Sequence, residues 1–258
     1  MKLLVVPPRT GIAWVRLGIQ TFARQPLAFS GLFFMYWFSI VLLAMVPVVG
    51  LGFALVLVPA GALGFMVATR DAAEGRIALP SRLFAGFRQG RERTRVLLQL
   101  GVAHALIILV LVLGVSLLFP MPAQAPEDDP LLLFTPARLV ATLVQLPVSI
   151  LFCYAPALSH WHGVPATKAL FFSVVALWRN LGAFVTFGLA WSAVVALAMG
   201  VLLVLAKAVG PLGGAFVAGP LLIAVASMMM ASTYFTFRDS FTADPAPGTS
   251  QPLDGASP

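Results

Sequence analysis

The sequence predicts an all-α membrane protein, a bundle of six transmembrane helices with short amphipathic helices at the cytoplasmic interface and both termini in the cytoplasm. Three observations lead to this fold class. Of the 258 residues, 60% are hydrophobic and only 10% are charged, whereas a soluble domain is about 45–50% apolar and about 25% charged. Uncharged runs of membrane-spanning length recur, and Lys and Arg concentrate in alternate connections. The composition excludes a disordered chain and argues against a soluble globular enzyme.

The uncharged runs set the positions of the spans, because a helix needs about 20 apolar residues to cross roughly 30 Å of hydrocarbon. The run 25–69 is long enough for two spans, which Pro47 and Gly50 divide. Prolines inside the even-numbered spans predict kinks, since neighbouring helices can satisfy the freed carbonyl groups; they are Pro59, Pro147, Pro156 and Pro220. The six spans are predicted at residues 27–47, 51–69, 97–119, 139–159, 181–206 and 211–237.

The charges set the orientation, because cytoplasmic loops of membrane proteins are rich in Lys and Arg. With six spans, all but Arg138 and Lys207 of the 16 basic residues lie on the side of the two termini. The basic residues flank apolar spans, so the lipid bilayer is the expected partner and nucleic acid is not. The sequence thus divides into a basic cytoplasmic segment 1–26, a transmembrane domain 27–238 and a disordered cytoplasmic tail 239–258.

Three cytoplasmic stretches share a plan in which a proline precedes a short basic amphipathic segment and then a hairpin of two spans. They are residues 8–29, 80–97 and 165–184. In the first, Trp14 and Phe22 share one helical face and Thr10 is the expected N-cap. Such helices normally lie in the membrane interface. The three stretches are either a threefold repeat or the common product of insertion rules. The third stretch is alternatively an extension of the fifth span.

Few residues of the chain suggest chemistry. The phosphate-binding Walker loop and the Gly-x-Ser-x-Gly and His-Glu-x-x-His motifs are missing, so no cofactor is predicted. His160 and His162, two residues apart, do not share a helical face, so no metal site is predicted. His104 and Gln145 lie within spans three and four. Each is either a functional intramembrane group or a hydrogen-bonding link between helices.

Two sets of residues are candidates for interactions. Small residues at four-residue spacing predict a tight contact of span six, most simply with span five; they are Gly210, Gly214 and Ala218. Arginines of the second stretch are expected to bind anionic lipid headgroups or an acidic partner, since each gains about 1 kcal/mol near an anionic membrane. The alternative is that they serve only to set the topology. These arginines are Arg82, Arg88, Arg91, Arg93 and Arg95.

Four groups of residues resemble those of a known protein family. They are Val6-Pro7…Gly11…Trp14…Gly18…Phe22…Pro26…Phe29, Pro59…Gly64-Phe65-Met66…Arg70, Pro80…Leu83-Phe84, and Trp161-His162-Gly163-Val164-Pro165…Lys168-Ala169-Leu170-Phe171-Phe172-Ser173…Arg179-Asn180. Together they resemble a mainly betaproteobacterial family of integral inner-membrane proteins without an assigned function. The resemblance covers most of the chain apart from the loop 120–136 and the tail. It implies the bacterial inner membrane and no catalytic residues.

The sequence therefore favours a non-enzymatic inner-membrane protein that works through lipid or protein partners. The alternative is a transporter or channel for a small or lipid-like substrate, which the kinked even-numbered spans would suit. Proton- or sodium-coupled transport is disfavoured, because no Asp, Glu, Lys or Arg lies near the middle of a predicted span. A transporter would need a polar cavity beside His104 and Gln145.

Overall fold

The computed structural model describes residues 2–119 and 151–242, and between them residues 140, 145, 148 and 149. These residues are almost entirely helical, and a 3₁₀ segment, Pro80–Phe87, precedes the fourth helix. The strands β1, Lys2–Leu3, and β2, Phe241–Thr242, pair antiparallel. The two ends of the described chain therefore lie together. The helices before the long C-terminal segment are α1, Thr10–Arg24, α2, Pro26–Ala44, α3, Gly50–Ala73, α4, Arg91–Leu118, α5, Ala155–His162, and α6, Ala166–Arg179.

Five helices of the described residues are long and apolar enough to cross a membrane: α2, α3, α4 and the two halves of the segment Leu181–Ser240. The halves are α7, Leu181–Gly210, and α8, Phe216–Ser240. The class of helical membrane protein is thus confirmed, with five of the predicted spans present and their ends shifted by a few residues. The predicted fourth span, 139–159, is described only in part, since residues 139, 141–144, 146, 147 and 150 lie outside the described residues.

Helices α2 and α3 form the predicted hairpin. The turn between them brings Gly50 against α2, because a Cβ added at Gly50 would lie 2.2 Å from the Leu43 carbonyl oxygen. The close approach explains why glycine begins α3. Pro59 lies inside α3 and is buried, and the helix continues through it to Ala73. The neighbouring helices thus tolerate a proline that would break an isolated helix.

Helix α1 packs against protein, which corrects the expectation that its apolar face lies in the lipid interface. Trp14 is 0% exposed, and its indole N–H donates to Asp239 of α8 over 2.9 Å. A Cβ added at Gly11 would lie 2.2 Å from the Ala183 carbonyl oxygen of α7. The predicted face is correct, but helices α7 and α8 cover it. Thr10 is the first helical residue, and the N-cap is Arg9, which makes no side-chain cap bond.

The second amphipathic stretch is not a surface α-helix. Its first part is the 3₁₀ segment Pro80–Phe87, and Arg91, Arg93 and Arg95 belong to the first turns of α4. Gly90, with φ of 94°, separates the two parts. The stretches therefore do not repeat one secondary structure, although α1 and α6 are helices of similar length.

Asn180 makes the third stretch a helix of its own. The residue ends α6 and precedes α7 with non-helical dihedral angles, and it is 1% exposed. Its side-chain amide donates to the Leu4 carbonyl over 3.0 Å and accepts from the Val6 N–H over 2.8 Å. The extended N-terminal segment is thereby fixed to the α6–α7 junction, and the third stretch is not a continuation of the fifth span.

Gln25 has the same role at the α1–α2 junction. Its amide donates to the Arg76 carbonyl over 2.8 Å and accepts from the Ala78 N–H over 2.9 Å. At each junction an amide side chain binds a C=O and an N–H two residues apart in a separate segment. These bonds fix how the helix pairs are placed relative to one another.

The contact predicted for span six holds for Gly214 and is wrong for Gly210. A Cβ added at Gly214 would lie 2.8 Å from the Ala206 side chain of α7. Gly210 instead forms the turn between α7 and α8, with φ of 78° and ψ of 169°, a conformation that favours glycine. Ala218 is half-buried. The antiparallel pair is also linked by Trp191, whose indole N–H donates to Ser232 over 3.2 Å.

The predicted tail begins too early. Asp239 and Ser240 belong to α8, and residues 241–242 form β2. They are fixed because β2 pairs with β1 and the Leu4 N–H donates to the Ser240 carbonyl over 3.0 Å. Residues 243–258 lie outside the described part of the chain.

Much of the buried core lies at the end of the bundle where the termini meet. Tyr154 is fully buried, and its ring centre is 5.6 Å from those of Phe237 and Phe241 and 6.0 Å from that of Phe184. Trp14 lies 5.5 Å from the same Phe184 ring. This aromatic cluster joins α1, α5, α7, α8 and β2. Beyond it, α2, α4, α7 and α8 expose many of their apolar side chains, as contact with lipid requires, whereas half of α3 is buried.

Replacement of Gly11 by alanine is expected to destabilise the docking of α1. The added methyl group would meet backbone atoms of α7 that cannot move aside, and overpacking of this kind costs about 1–3 kcal/mol. Gly31→Ala is the matched control, because a Cβ there meets no atom within 4 Å. Thermal unfolding in mild detergent should show a lower transition for Gly11→Ala only. Equal transitions for the two variants would contradict the packing.

Candidate functional site

The candidate site is the end of the bundle that carries the termini, called here the basic end. It comprises residues 2–24, 70–95, 155–180 and 238–242, whose segments are joined by the hydrogen bonds of Asn180, Gln25 and Trp14 described above. All five candidate arginines belong to this end. The structure divides them into two that bind other parts of the chain and three that are exposed.

Arg82 belongs to the first group, because it pairs with Asp71. The Asp71 side chain is only 6% exposed and also pairs with Arg76. The buried carboxylate thus joins the end of α3 to the 3₁₀ segment. An ion pair with one buried member gives Arg82 a structural role; its side chain is also 40% exposed, and its contact with lipid or a partner stays a prediction.

Arg76 extends this cluster to the surface by pairing with Glu74, which also binds Arg70 over 2.9 Å. Hydrogen bonds from Arg70 and Arg76 lower the pKa of Glu74, because they stabilise its charged form. The same contacts raise the pKa of Arg76, led by its bond to Asp71. Glu74 and Arg76 therefore stay ionised at neutral pH. Surface pairs of this kind contribute little to stability.

Arg93 also binds other parts of the chain. Its guanidinium donates to the His160 carbonyl and to the Gln89 side chain, each over 2.5 Å. The Gln89 amide in turn donates to His160 Nε2 over 2.9 Å, which requires that nitrogen to be unprotonated. These bonds join the start of α4 to the end of α5. Arg93 thus has a structural role, as Arg82 does, and its contact with lipid or a partner stays a prediction.

His160 is neutral at physiological pH. Burial lowers its pKa to about 4, and the positive charges of Arg93 and Arg70 act in the same direction. Its role is to accept a hydrogen bond within the basic end. Among the described residues, no group of three or more His, Cys, Asp or Glu side chains could hold a metal ion.

Arg88, Arg91 and Arg95 form the exposed group. In the described part of the chain they form no ion pair. Arg91 and Arg95 border a groove of about 600 Å³ that runs along α4. The rest of its lining is mainly apolar and consists of Thr94, Leu98, Gln99, Val102, Ala103 and Leu106. The site thus combines unpaired positive charge with a membrane-facing apolar surface.

The two predicted intramembrane polar residues differ in burial. His104 is buried, and its Nδ1 donates to the Leu55 carbonyl of α3 over 2.9 Å, while its ring meets the edge of Phe152 at 5.0 Å. These contacts match the predicted link between helices. Gln145 is helical and exposed.

Three residues important for the basic end were missed by the sequence reasoning: Asp71, Gln89 and Asn180. Asp71 could have been noticed as an acid within a strongly basic connection, which indicates a paired carboxylate. Asn180 follows a basic residue at the entry to an apolar run, which is typical of a helix end. No pattern around Gln89 predicts its hydrogen bond, because its partner His160 lies 71 residues away in the chain.

The apolar spans, the buried polar links at one end and the exposed arginines around it together define a polytopic helical membrane protein. The chain is 40% identical over 257 residues to a probable inner membrane protein of Burkholderia thailandensis, covering 93% of this chain and 94% of that protein. The chain belongs to the family of this inner membrane protein, which confirms the resemblance found in its motifs. No protein-family model matches the chain, and no solved structure matches it.

Neutral His160 is expected to make stability depend on acidity. The unfolded chain takes up a proton near pH 6.5, whereas the folded protein does so near pH 4. The stability contributed by this residue is therefore complete above about pH 6.5 and decreases as the pH falls toward 4. His160→Gln keeps a polar side chain and cannot titrate. Its unfolding temperature should fall less steeply than that of the wild type between pH 6.5 and 4.5, and parallel profiles would refute the assignment.

Proposed function

We propose that the chain is a six-span inner-membrane protein without enzymatic activity, that both termini lie in the cytoplasm, and that the basic end binds anionic lipids of the cytoplasmic leaflet. The observation that carries this proposal is the exposed group Arg88, Arg91 and Arg95, which lies where apolar spans meet the basic end.

The pairing of β1 with β2 supports six spans and a common side for the termini. Residues 2–3 and 241–242 are hydrogen-bonded neighbours, which supports an even number of membrane crossings. The described residues contain five membrane-length helices, and the apolar composition of segment 139–159 makes it our candidate for the sixth. The concentration of Lys and Arg at the basic end supports a cytoplasmic location for it.

The contacts of the polar residues support a role in binding rather than in catalysis or transport. Asp71 pairs with Arg82, Arg93 binds the His160 carbonyl, and His104 binds the Leu55 carbonyl. These groups hold the fold together. The exposed arginines remain for an external partner, and the membrane surface beside them offers anionic headgroups within reach.

Cysteine labelling in intact cells tests the orientation. In a Cys153→Ala background, Ala125→Cys should react with a membrane-impermeant maleimide, because loop 120–136 is proposed to lie outside the cytoplasm. Ile12→Cys, at an exposed position of α1, should react only after the cells are opened. Labelling of both positions in intact cells, or of Ile12→Cys alone, would overturn the proposed topology.

Reconstitution into nanodiscs tests the lipid preference. From mixtures of phosphatidylglycerol and phosphatidylcholine, the full chain should retain the anionic lipid in excess of its share after extraction into mild detergent. Each exposed arginine should contribute about fivefold at low salt, and 0.5 M salt should weaken the effect. Retained lipid of the same composition as the mixture would show that the arginines only set the topology.

A further inference from the structure

We propose that the groove along α4 is a binding site for one anionic phospholipid, with its phosphate between Arg91 and Arg95 and one acyl chain along Leu98, Val102 and Leu106. The inference rests on the proposed function and deepens it, because it assigns the lipid preference to one place and gives the bound molecule an orientation.

The residues of the groove lie on one face of α4. Arg91, Arg95, Leu98, Val102 and Leu106 follow one another at intervals of three or four residues, which places their side chains in a continuous stripe. Leu98, Val102 and Leu106 are 42%, 48% and 58% exposed, so the described residues leave the stripe open. A helix rises 1.5 Å per residue, so Arg95 and Leu106 are about 16 Å apart along the axis.

This stretch of α4 lies within one leaflet of the membrane, whose half of the hydrocarbon core is about 15 Å deep. With the phosphate at Arg95 and the ester groups near Gln99, the acyl chain would pass Leu106 about 10 Å below the ester groups. Gln99, one helical turn below Arg95, is exposed and lies at the depth of the ester groups, where its amide can donate a hydrogen bond.

The headgroup end of the groove is positively charged. Arg91 and Arg95 are one turn apart, Arg88 precedes them, and the first N–H groups of α4 favour an anion. Glu92 is the acidic residue of the first helical turn; it lies three positions before Arg95, and in the described part of the chain it forms no ion pair with Arg91 or Arg95, so the site keeps a net positive charge. The charge of the site is complementary to a phosphate monoanion.

The apolar part of the groove distinguishes a lipid from a soluble anion. Free phosphate would contact only the two arginines and leave the apolar part of the groove, along Leu98, Val102 and Leu106, unused. A phospholipid fills both parts. The site therefore fits a lipid of the cytoplasmic leaflet, whose headgroup and chain reach the arginines and the apolar stripe at once.

Native mass spectrometry of the full chain, released from nanodiscs of phosphatidylglycerol and phosphatidylcholine, tests the site. The wild type should retain one phosphatidylglycerol molecule. Arg91→Gln with Arg95→Gln should lower its affinity on the order of 30-fold, whereas Arg91→Lys with Arg95→Lys should keep most of it. The matched control is Arg9→Gln with Arg16→Gln, which removes two exposed charges elsewhere on the basic end. Val102→Trp should also displace the lipid by filling the groove, with the arginines intact.

The possible results separate the two proposals. No preference for phosphatidylglycerol in the wild type would overturn both. A preference that the control pair and the groove pair reduce equally would leave the proposed function and overturn the groove site. Full binding by Val102→Trp, or displacement of the lipid by millimolar inorganic phosphate, would show that the groove holds no acyl chain. Unchanged elution of every variant from a sizing column would show that folding is intact.

Discussion

The arrangement of this bundle depends on amide side chains that fix extended backbone segments to helix junctions. Asn180 binds the C=O and N–H groups within residues 4–6, and Gln25 does the same within residues 76–78. In a membrane the apolar faces of helices gain little by leaving lipid, so packing and polar contacts decide which helices are neighbours. An amide whose C=O and N–H groups both bind the backbone fixes the position and the direction of the segment that it contacts. Each junction thereby determines where the next pair of spans begins.

Such contacts join each of the three amphipathic stretches to the next, and the third back to the first. The junction after the first stretch binds the segment that enters the second. Gln89 and Arg93, after the 3₁₀ segment of the second stretch, bind His160, which lies just before the third. The junction after the third stretch returns to the segment before the first. The stretches therefore share positions in a ring of contacts, although their secondary structures differ. Insertion rules account for their basic residues, but they do not account for this order of contacts.

The large features of the fold could be predicted from the sequence because they follow from local composition. Apolar runs place the spans to within a few residues, and the buried face of α1 follows from its periodicity. The division of the arginines could not be predicted. Arg82 and Arg88 belong to the same basic stretch, and only the structure shows that Arg82 pairs with Asp71. Gly210 was misassigned for a related reason. Small residues at four-residue spacing share a helix face only when all of them are helical. The dihedral angles of Gly210 are not helical.

The division of the arginines has a consequence for how the protein meets its membrane. Arg82 and Arg93 bind groups within the chain, so they stabilise the contacts of the basic end in any lipid composition. The exposed arginines, Arg88, Arg91 and Arg95, form no ion pair within the described residues. Arg91 and Arg95 lie in the first turns of α4, the helix that Arg93 joins to the ring of contacts. Lipid bound beside Arg91 and Arg95 would thus contact the same helical turn that Arg93 fixes to His160. An anionic leaflet and the internal contacts would stabilise one placement of α4, and this placement sets the positions of both neighbouring segments.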